Sequence, residues 1–464
     1  MDYKTDYLVI GSGAMALAFV DTMLKETDAT FLIVDRRPKV GGHWNDAYPF
    51  VRLHQPSSFY GVASRPLGRH KLDETGFNKG HFELATGVEV THYYHTLMEE
   101  VFIPSKRVHY LPLCDYTEDG GIVSLMSGEE HKVTVNIKVV NATHMNTEIP
   151  MTHTPKFKVA EGVNCVPPNY LCRLAPEHKH ITVLGGGKTA IDSITWLLAN
   201  DYPVDNITWV IPRDSWFYDR SKFQPDEDFL EQTLELIAGQ TENFATASTV
   251  EELCLGMESR GNWLRLDKNV WPTMFHAALI TKTELEQIQR ISQIVRLGRV
   301  ETIDTKGMRL THGEVSSQPD TLYIDCTAAG LGNNVNNFTP VFELGQINLQ
   351  CIRVFQPCFS AALIAHIEAS IEEDALRQAM TRPTPMTDTV EDFLTSQAHV
   401  LMNEGQWKAH EEISKWLIEC RLDGFSHLIA NICADDHKKI NQLKRFGQHA
   451  KSAVDNLLRL AAVN

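Results

Sequence analysis

No two cysteines of this chain stand at C-x-x-C spacing. The nine present, Cys114, Cys165, Cys172, Cys254, Cys326, Cys351, Cys358, Cys420 and Cys433, are odd in number and scattered. That pattern argues against a structural zinc cage and a thioredoxin-like redox pair, and a reduced, cytoplasmic compartment is expected. An excess of positive charge is lacking as well. With 43 Lys+Arg against 59 Asp+Glu the net charge is −16, so neither nucleic acid nor an anionic membrane is expected as the main partner. A local basic pocket for a phosphate stays compatible with that balance. The 20 histidines form no H-E-x-x-H or comparable cluster, and no metal is expected. His178 and His180, either side of Lys179, read as solvated positions on a strand edge. Long hydrophobic runs are missing too. The most apolar stretch near the start, Tyr7 to Val20, falls short of the roughly 20 residues a bilayer span needs. Its flank MDYKTD is not basic, so a signal peptide is not expected. No repeats or low-complexity tracts are evident.

What is present is an ordinary globular composition, 43% hydrophobic over 464 residues, enough for about three domains. Tyr7-Leu8-Val9-Ile10 is a short, continuously apolar run of the kind a buried parallel strand requires. Gly11-Ser12-Gly13-Ala14-Met15-Ala16 follows at once, and a helix-forming run continues to Leu24. This is G-x-G-x-x-A in the context of strand, tight turn and helix. Gly11 can take the turn's backbone angles, Gly13 lets a pyrophosphate approach the main chain, and Ala16 lets helix and strand pack closely. The N–H groups at the helix start then face the phosphates. A second apolar strand, Thr30 to Val34, ends in Asp35, 24 residues after Gly11, where a carboxylate can accept a hydrogen bond from a ribose 2′-OH.

The pattern recurs. His180 to Leu184 is an apolar run, Gly185-Gly186-Gly187-Lys188-Thr189-Ala190 is again G-x-G-x-x-A, and Ile191 to Leu198 continues as a helix. The following strand, Asn206 to Pro212, ends at Arg213, 28 residues after Gly185. A guanidinium there suits a 2′-phosphate and points to NADPH, with Arg220 and Lys222 near enough in sequence to assist. Two dinucleotide sites in one chain imply electron transfer between two bound cofactors, and the residues alone leave open which site holds which.

Asp35-Arg36-Arg37-Pro38-Lys39-Val40-Gly41-Gly42-His43-Trp44 resembles the [D/E]-x5-G-G-x-W segment of flavoprotein monooxygenases. Tyr48-Pro49-Phe50-Val51-Arg52-Leu53-His54 resembles their Y-P-x-x-R-x-[D/H] stretch, and GGGKTAID at Gly185 to Asp192 is similar to their NADPH site. The resemblance, to a class B-like FAD/NAD(P)H enzyme, runs to roughly residue 370. It implies FAD at the first site, held by Gly11, Gly13, Ala14, Ala16, Asp35, Arg36, Gly42, His43, Trp44 and Gln55. It further implies NADPH at Gly185, Gly187, Lys188, Thr189, Ala190 and Arg213. Lys138 to His144, with Thr143 at the strand end, resembles the point where the chain leaves the FAD domain. Asp320 to Gly330, with Asp325, resembles the strand that returns to it. The family's linker fingerprint, F-x-G-x-x-x-H-x-x-x-[Y/F], is absent between Thr143 and Gly185.

The chemistry so implied is NADPH-dependent insertion of one oxygen atom from O2 into a small organic substrate through a C4a-(hydro)peroxyflavin. Arg52 is the candidate to stabilise the anionic peroxide or position the nicotinamide, and His54 the candidate proton donor or relay. An NAD(P)H-dependent flavin reductase or dehydrogenase with another acceptor, and a non-catalytic nucleotide-binding regulator, are the alternatives. Cys165/Cys172 and Cys351/Cys358 read as buried or incidental thiols. The expected fold is α/β, with two Rossmann-like domains and a helical C-terminal region. Residues 1–160 and 319–380 form the FAD domain, 161–318 the inserted NADPH domain, and 381–464 the helices, a cap or a homo-oligomer surface. Residues 225–296 read as mainly helical, including TELEQIQRISQIV, and 299–304 with 308–311 as a hairpin.

Overall fold

Each apolar run seeds a parallel sheet. The computed structural model describes residues 2–117, 120–330 and 339–462. Asp2–Ile10 is a strand whose Leu8 and Val9 are fully buried. It pairs in parallel with Phe31–Asp35 on one side and Glu130–Asn141 on the other. Val108–Pro112 and Gln346–Asn348 extend the sheet at its two sides, also in parallel. Strands covered on both faces must be apolar throughout, which is why YLVI and FLIV are runs and not alternations. The crossover helix Ala14–Glu26 covers one face together with Pro357–Ser370, which starts on a proline at its first position and is buried almost all round.

His180–Leu184 seeds the second sheet on the same plan. Ile207–Val210 and Thr321–Asp325 flank it, Gln293–Val295 and Asn164–Val166 form the edges, and all pairings are parallel. Thr321–Asp325 takes the place in this sheet that Glu130–Asn141 takes in the first. Each unit also carries an antiparallel meander: Cys114–Tyr116, Ile122–Ser124 and the start of Glu130–Asn141 in one, and Val300–Ile303, Gly307–Leu310 and Gly313–Ser316 in the other. The two units therefore repeat one topology although their sequences share little beyond the glycine turn and its flanking apolar runs. Buried strands and a glycine turn constrain residue type, not identity.

Two expectations are corrected. Thr321–Asp325, read as the strand returning to the first unit, is hydrogen-bonded between His180–Leu184 and Asn164–Val166 in the second sheet. The chain re-enters the first sheet at Phe342–Glu343 and Gln346–Asn348. An apolar run such as LYID suits either sheet, so its composition cannot assign it. The stretch TELEQIQRISQIV is a helix only over Lys282–Ile288; Gln293–Val295, with its β-branched pair, is an edge strand.

The C-terminal region is braced against both units. Its last helix, His437–Ala462, packs along Glu227–Thr246 and Val390–Ala409. There Leu457 and Leu460 share a buried cluster with Phe244, Trp263, Phe275 and Phe393. Arg421 faces the first unit and donates to the carbonyls of Ser58, Tyr60 and Val62 at 2.6, 2.8 and 2.9 Å. Among the described residues no helix is long and apolar enough to cross a membrane.

Candidate active site between two glycine turns

One set of backbone bonds builds both turns. Gly11 N–H donates to Val34 O at 2.8 Å and Ala142 N–H to Ile10 O at 3.0 Å; Gly185 N–H donates to Val210 O and Cys326 N–H to Leu184 O, both at 2.9 Å. Gly11 and Gly185 have φ of +94° and +122°, a region that penalises any side chain. A Cβ on Gly185 would also lie 2.7 Å from the Cys326 carbonyl oxygen. Gly13 and Gly187 differ, being extended. A Cβ on Gly187 would meet nothing within 4 Å, and one on Gly13 would meet only the Gly42 Cα at 3.7 Å. Their bare backbone faces open space.

That space is one cavity of about 1820 Å³ lined by both turns. Gly13 and Gly187 are the N-caps of Ala14–Glu26 and Lys188–Ala199, and neither helix start carries a side-chain cap. Their first-turn N–H groups are left for an anion, which the helix dipole favours. Asp35 accepts from the Ser12 N–H and hydroxyl at 2.6 and 2.7 Å and from Arg37 N–H at 2.7 Å, which fixes its carboxylate at the strand end beside the cavity. The Trp44 indole donates to the Tyr60 hydroxyl at 2.8 Å and His43 stacks on Trp44. Burial, with Arg37 nearby, pushes His43 down to about 4, so it is neutral. A bare glycine cradle, an uncapped helix start and a fixed carboxylate fit a dinucleotide such as FAD at the first turn. The second turn fits a dinucleotide by its own bare glycine and uncapped helix start.

The segment after Trp44 joins the units. The Tyr48 hydroxyl donates to Asp192 at 2.7 Å, and the Phe50 ring lies 5.7 Å from that of Trp196. Behind them lies a buried ion network. Lys188 pairs with Asp192 and stands 3.7 Å from Glu284, while Glu284 accepts from Arg220 Nη1 and Thr281 N–H, both at 2.7 Å. Arg220 is 0% exposed and donates also to the carbonyls of His54 and Leu279 at 2.8 and 2.9 Å. Burial works against ionising Glu284, but Arg220 and Lys188 outweigh it and hold the carboxyl at about 2.

Most of the residues singled out in the sequence line this cavity: Gly11, Gly13, Ala14, Asp35, Arg36, Gly42, His43, Trp44, Arg52, His54, Gln55, Thr143, Gly185, Gly187, Lys188, Thr189 and Arg213. Ala16 and Ala190 do not reach it; both are fully buried in their helices, where a small residue admits the neighbouring strand. Asp325 is not a lining residue either. It is tied to His153 Nε2 at 2.9 Å and to the Thr327 N–H and hydroxyl at 3.0 and 2.6 Å. Arg36 sits at the rim, 67% exposed and paired with Asp115 at 3.1 Å. Arg52 is exposed beside the cavity, with its backbone bridged to Thr86.

Three roles change. His54 is pushed down to about 3 by burial, then by Lys188 and Arg220, so it is a neutral imidazole and not an acid poised near physiological pH. Arg220 cannot assist a 2′-phosphate, because it is buried on Glu284. Lys222 lines a separate crevice with Asn262 and Gln442. Arg213 does line the cavity, but its Nη1 and Nη2 donate to Asp388 at 2.9 and 2.6 Å, and His276 Nε2 approaches the same carboxylate at 2.9 Å. All nine cysteines are free, and burial raises Cys351 to about 12 and Cys358 to about 11. Tyr48, Asp192, Glu284, His276 and Asp388 were not singled out. Tyr48 and Asp192 lie at motif positions quoted above, and Glu284 left a local signal in the capping box Thr281-x-x-Glu284, whereas His276 and Asp388 left none.

No protein-family profile matches the chain. Three mycobacterial proteins are 38% identical over 457 residues, 98% of this chain and 84% of each relative: "Uncharacterized protein Rv2000" and "Uncharacterized protein MT2056" of Mycobacterium tuberculosis, and "Uncharacterized protein Mb2023" of Mycobacterium bovis. Among solved structures, closed cyclohexanone monooxygenase aligns at a TM-score of 0.49 and 12% identity, over 91% of this chain and 93% of that one. Polycyclic ketone monooxygenase of Thermothelomyces thermophila aligns at 0.48 and 11% identity, over 97% of this chain and 85% of that one. These likenesses are loose, and the two-unit architecture stands on the strand registers given above.

Proposed function

This chain belongs to the family of the mycobacterial proteins Rv2000, MT2056 and Mb2023, and we propose that it is an FAD-dependent, NADPH-oxidising monooxygenase acting on a small organic substrate. One observation carries the reading: both glycine turns open into a single cavity of about 1820 Å³, so two dinucleotides held there would share one cleft. The bound flavin would supply the redox chemistry, taking two electrons from the nicotinamide and giving them to dioxygen, with one oxygen atom going to the substrate and the other to water.

The protein's own groups bind, orient and enclose. Gly11, Gly13 and Gly42 form the cradle for one pyrophosphate, with Asp35 toward its ribose; Gly185, Gly187 and the start of Lys188–Ala199 form the other. Lys188 is held back by Asp192 and Glu284 and anchors the turn from behind. Arg52 brings a cation to the cavity wall, available to a developing negative charge. His54, neutral, can accept or donate one hydrogen bond without carrying charge into the site. Met386 and Thr387, from the segment before the helix Val390–Ala409, add a further wall that limits water. The resemblance of Asp35–Trp44 and Tyr48–His54 to flavoprotein monooxygenases favours oxygen as acceptor. Burial keeps the Cys351 and Cys358 thiols protonated, which does not favour thiol–disulfide exchange there.

The test mixes flavin-loaded protein anaerobically with NADPH and then admits ¹⁸O2 with a panel of ketones, amines and thioethers. Bleaching of the flavin followed by label in an organic product supports the reading. Bleaching with hydrogen peroxide as the sole oxygen product across the panel overturns oxygen transfer, and no bleaching overturns the redox reading altogether.

A further inference from the structure

Where a dinucleotide fold favours NADH, a carboxylate at the end of its second strand usually meets the ribose 2′-OH. In the second unit that position holds Arg213, and the carboxylate comes from far along the chain. Asp388, 175 residues later, takes both terminal nitrogens of the Arg213 guanidinium, Nη1 at 2.9 Å and Nη2 at 2.6 Å. His276 Nε2 reaches the same carboxylate at 2.9 Å. The arrangement is held from behind. Phe275 N–H donates to the Asp388 carbonyl at 3.0 Å, the Thr387 hydroxyl to Phe275 O at 2.6 Å, and Asp388 N–H to Asp392 at 3.0 Å. Arg213, His276 and Asp388 all line the cavity that the second turn opens into, and the Arg213 carbonyl packs on Gly186 of that turn.

A bidentate fork of this kind is the geometry with which arginine grips a phosphate. Here an internal anion already fills it. Resting on the reading that the second turn binds a nicotinamide dinucleotide, we propose that Asp388 sets that site's choice between the 2′-phosphorylated and 2′-hydroxyl forms, by competing with the 2′-phosphate for Arg213. A 2′-phosphate must displace the carboxylate or lie beside it, and either costs affinity through like-charge repulsion. A 2′-hydroxyl pays no such cost and can donate to Asp388. The protein therefore uses NADPH against an internal competitor and discriminates between the two dinucleotides less than Arg213 alone would dictate. Arg213 and Asp388 are 29% and 41% exposed, so solvent screens the competition and the effect is moderate.

Isothermal titration of the full-length protein with NADP⁺ and NAD⁺ tests this without turnover. Asp388→Asn preserves shape and removes the charge. It should tighten NADP⁺ on the order of tenfold and change NAD⁺ little. Asp388→Ala, checked by thermal melting, should act in the same direction, and in an Arg213→Ala background, where there is no guanidinium left to release, the gain in NADP⁺ affinity should shrink to what relief of the carboxylate–phosphate repulsion alone supplies. Unaltered NADP⁺ affinity in Asp388→Asn overturns the proposal, and weaker NADP⁺ binding overturns it in favour of Asp388 as a buttress for Arg213. If neither nucleotide binds the wild-type protein or the variants, the nicotinamide site itself fails, a result distinct from either.

Discussion

Tyr48 of the first unit donates its phenol hydrogen to Asp192 of the second at 2.7 Å. Burial, and then the Asp192 charge, hold the phenol well above its ordinary range, so the proton stays on Tyr48. Asp192 is shared with Lys188, which connects the bond to the second glycine turn. Tyr48→Phe keeps the ring contact with Phe50, whose centroid lies 4.7 Å away, and deletes one bond to a charged acceptor. Urea denaturation should register a loss of about 1.5–3 kcal/mol. No loss would mean that the two units are not coupled through this pair.

Gly187→Ala should separate folding from binding. The added methyl meets no protein atom within 4 Å, so the melting temperature and flavin colour should be unchanged. The same methyl stands where a pyrophosphate would approach the main chain. The rate of flavin bleaching at low NADPH should drop by at least about tenfold, measured by anaerobic stopped flow. Gly185→Ala should lose stability instead, because its Cβ collides with Cys326 O in a backbone of φ +122°.

Acid should weaken the fold in two stages. Glu284, held at about 2 against an ordinary 4.5, contributes stability that is complete above 4.5 and lost as pH falls from there toward 2. His54, pushed down to about 3 from 6.5, has the same sign and acts from about 6.5 downward. Urea midpoints across a pH series should therefore fall early and then more steeply. Glu284→Gln should cost about 3–5 kcal/mol near neutrality, because it strands the buried Arg220. It should keep the early decline and flatten the later one.

Arg421→Lys should not be conservative. A guanidinium spreads its donors over the carbonyls of Ser58, Tyr60 and Val62, whereas one ammonium cannot reach all three in that geometry. At least one carbonyl loses its partner, at about 1–3 kcal/mol. Limited proteolysis should then cut the C-terminal region sooner than in the wild type.

The glycine turns were legible because everything they need is local: strand Tyr7–Ile10 before Gly11, strand His180–Leu184 before Gly185, and a helix after each. Thr321–Asp325 was misassigned because its partners lie more than a hundred residues upstream, at 164–166 and 180–184. Nothing in LYID specifies them. Arg220 reads as a cation free to assist at a 2′-phosphate because its counter-charge, Glu284, sits in a separate capping box. Asp388 was invisible for the same reason: its role exists only once the C-terminal segment is laid beside Arg213. Imidazoles such as His54 cannot be assigned a charge from sequence, since neighbours and burial decide it.

The final helix lies along the insertion of the second unit, while Arg421 is moored to three carbonyls of the first. A swing of one unit away from the other would have to drag this tail along or tear one of its moorings. Opening of the cleft by a movement of the two units is therefore opposed by a strut that crosses both.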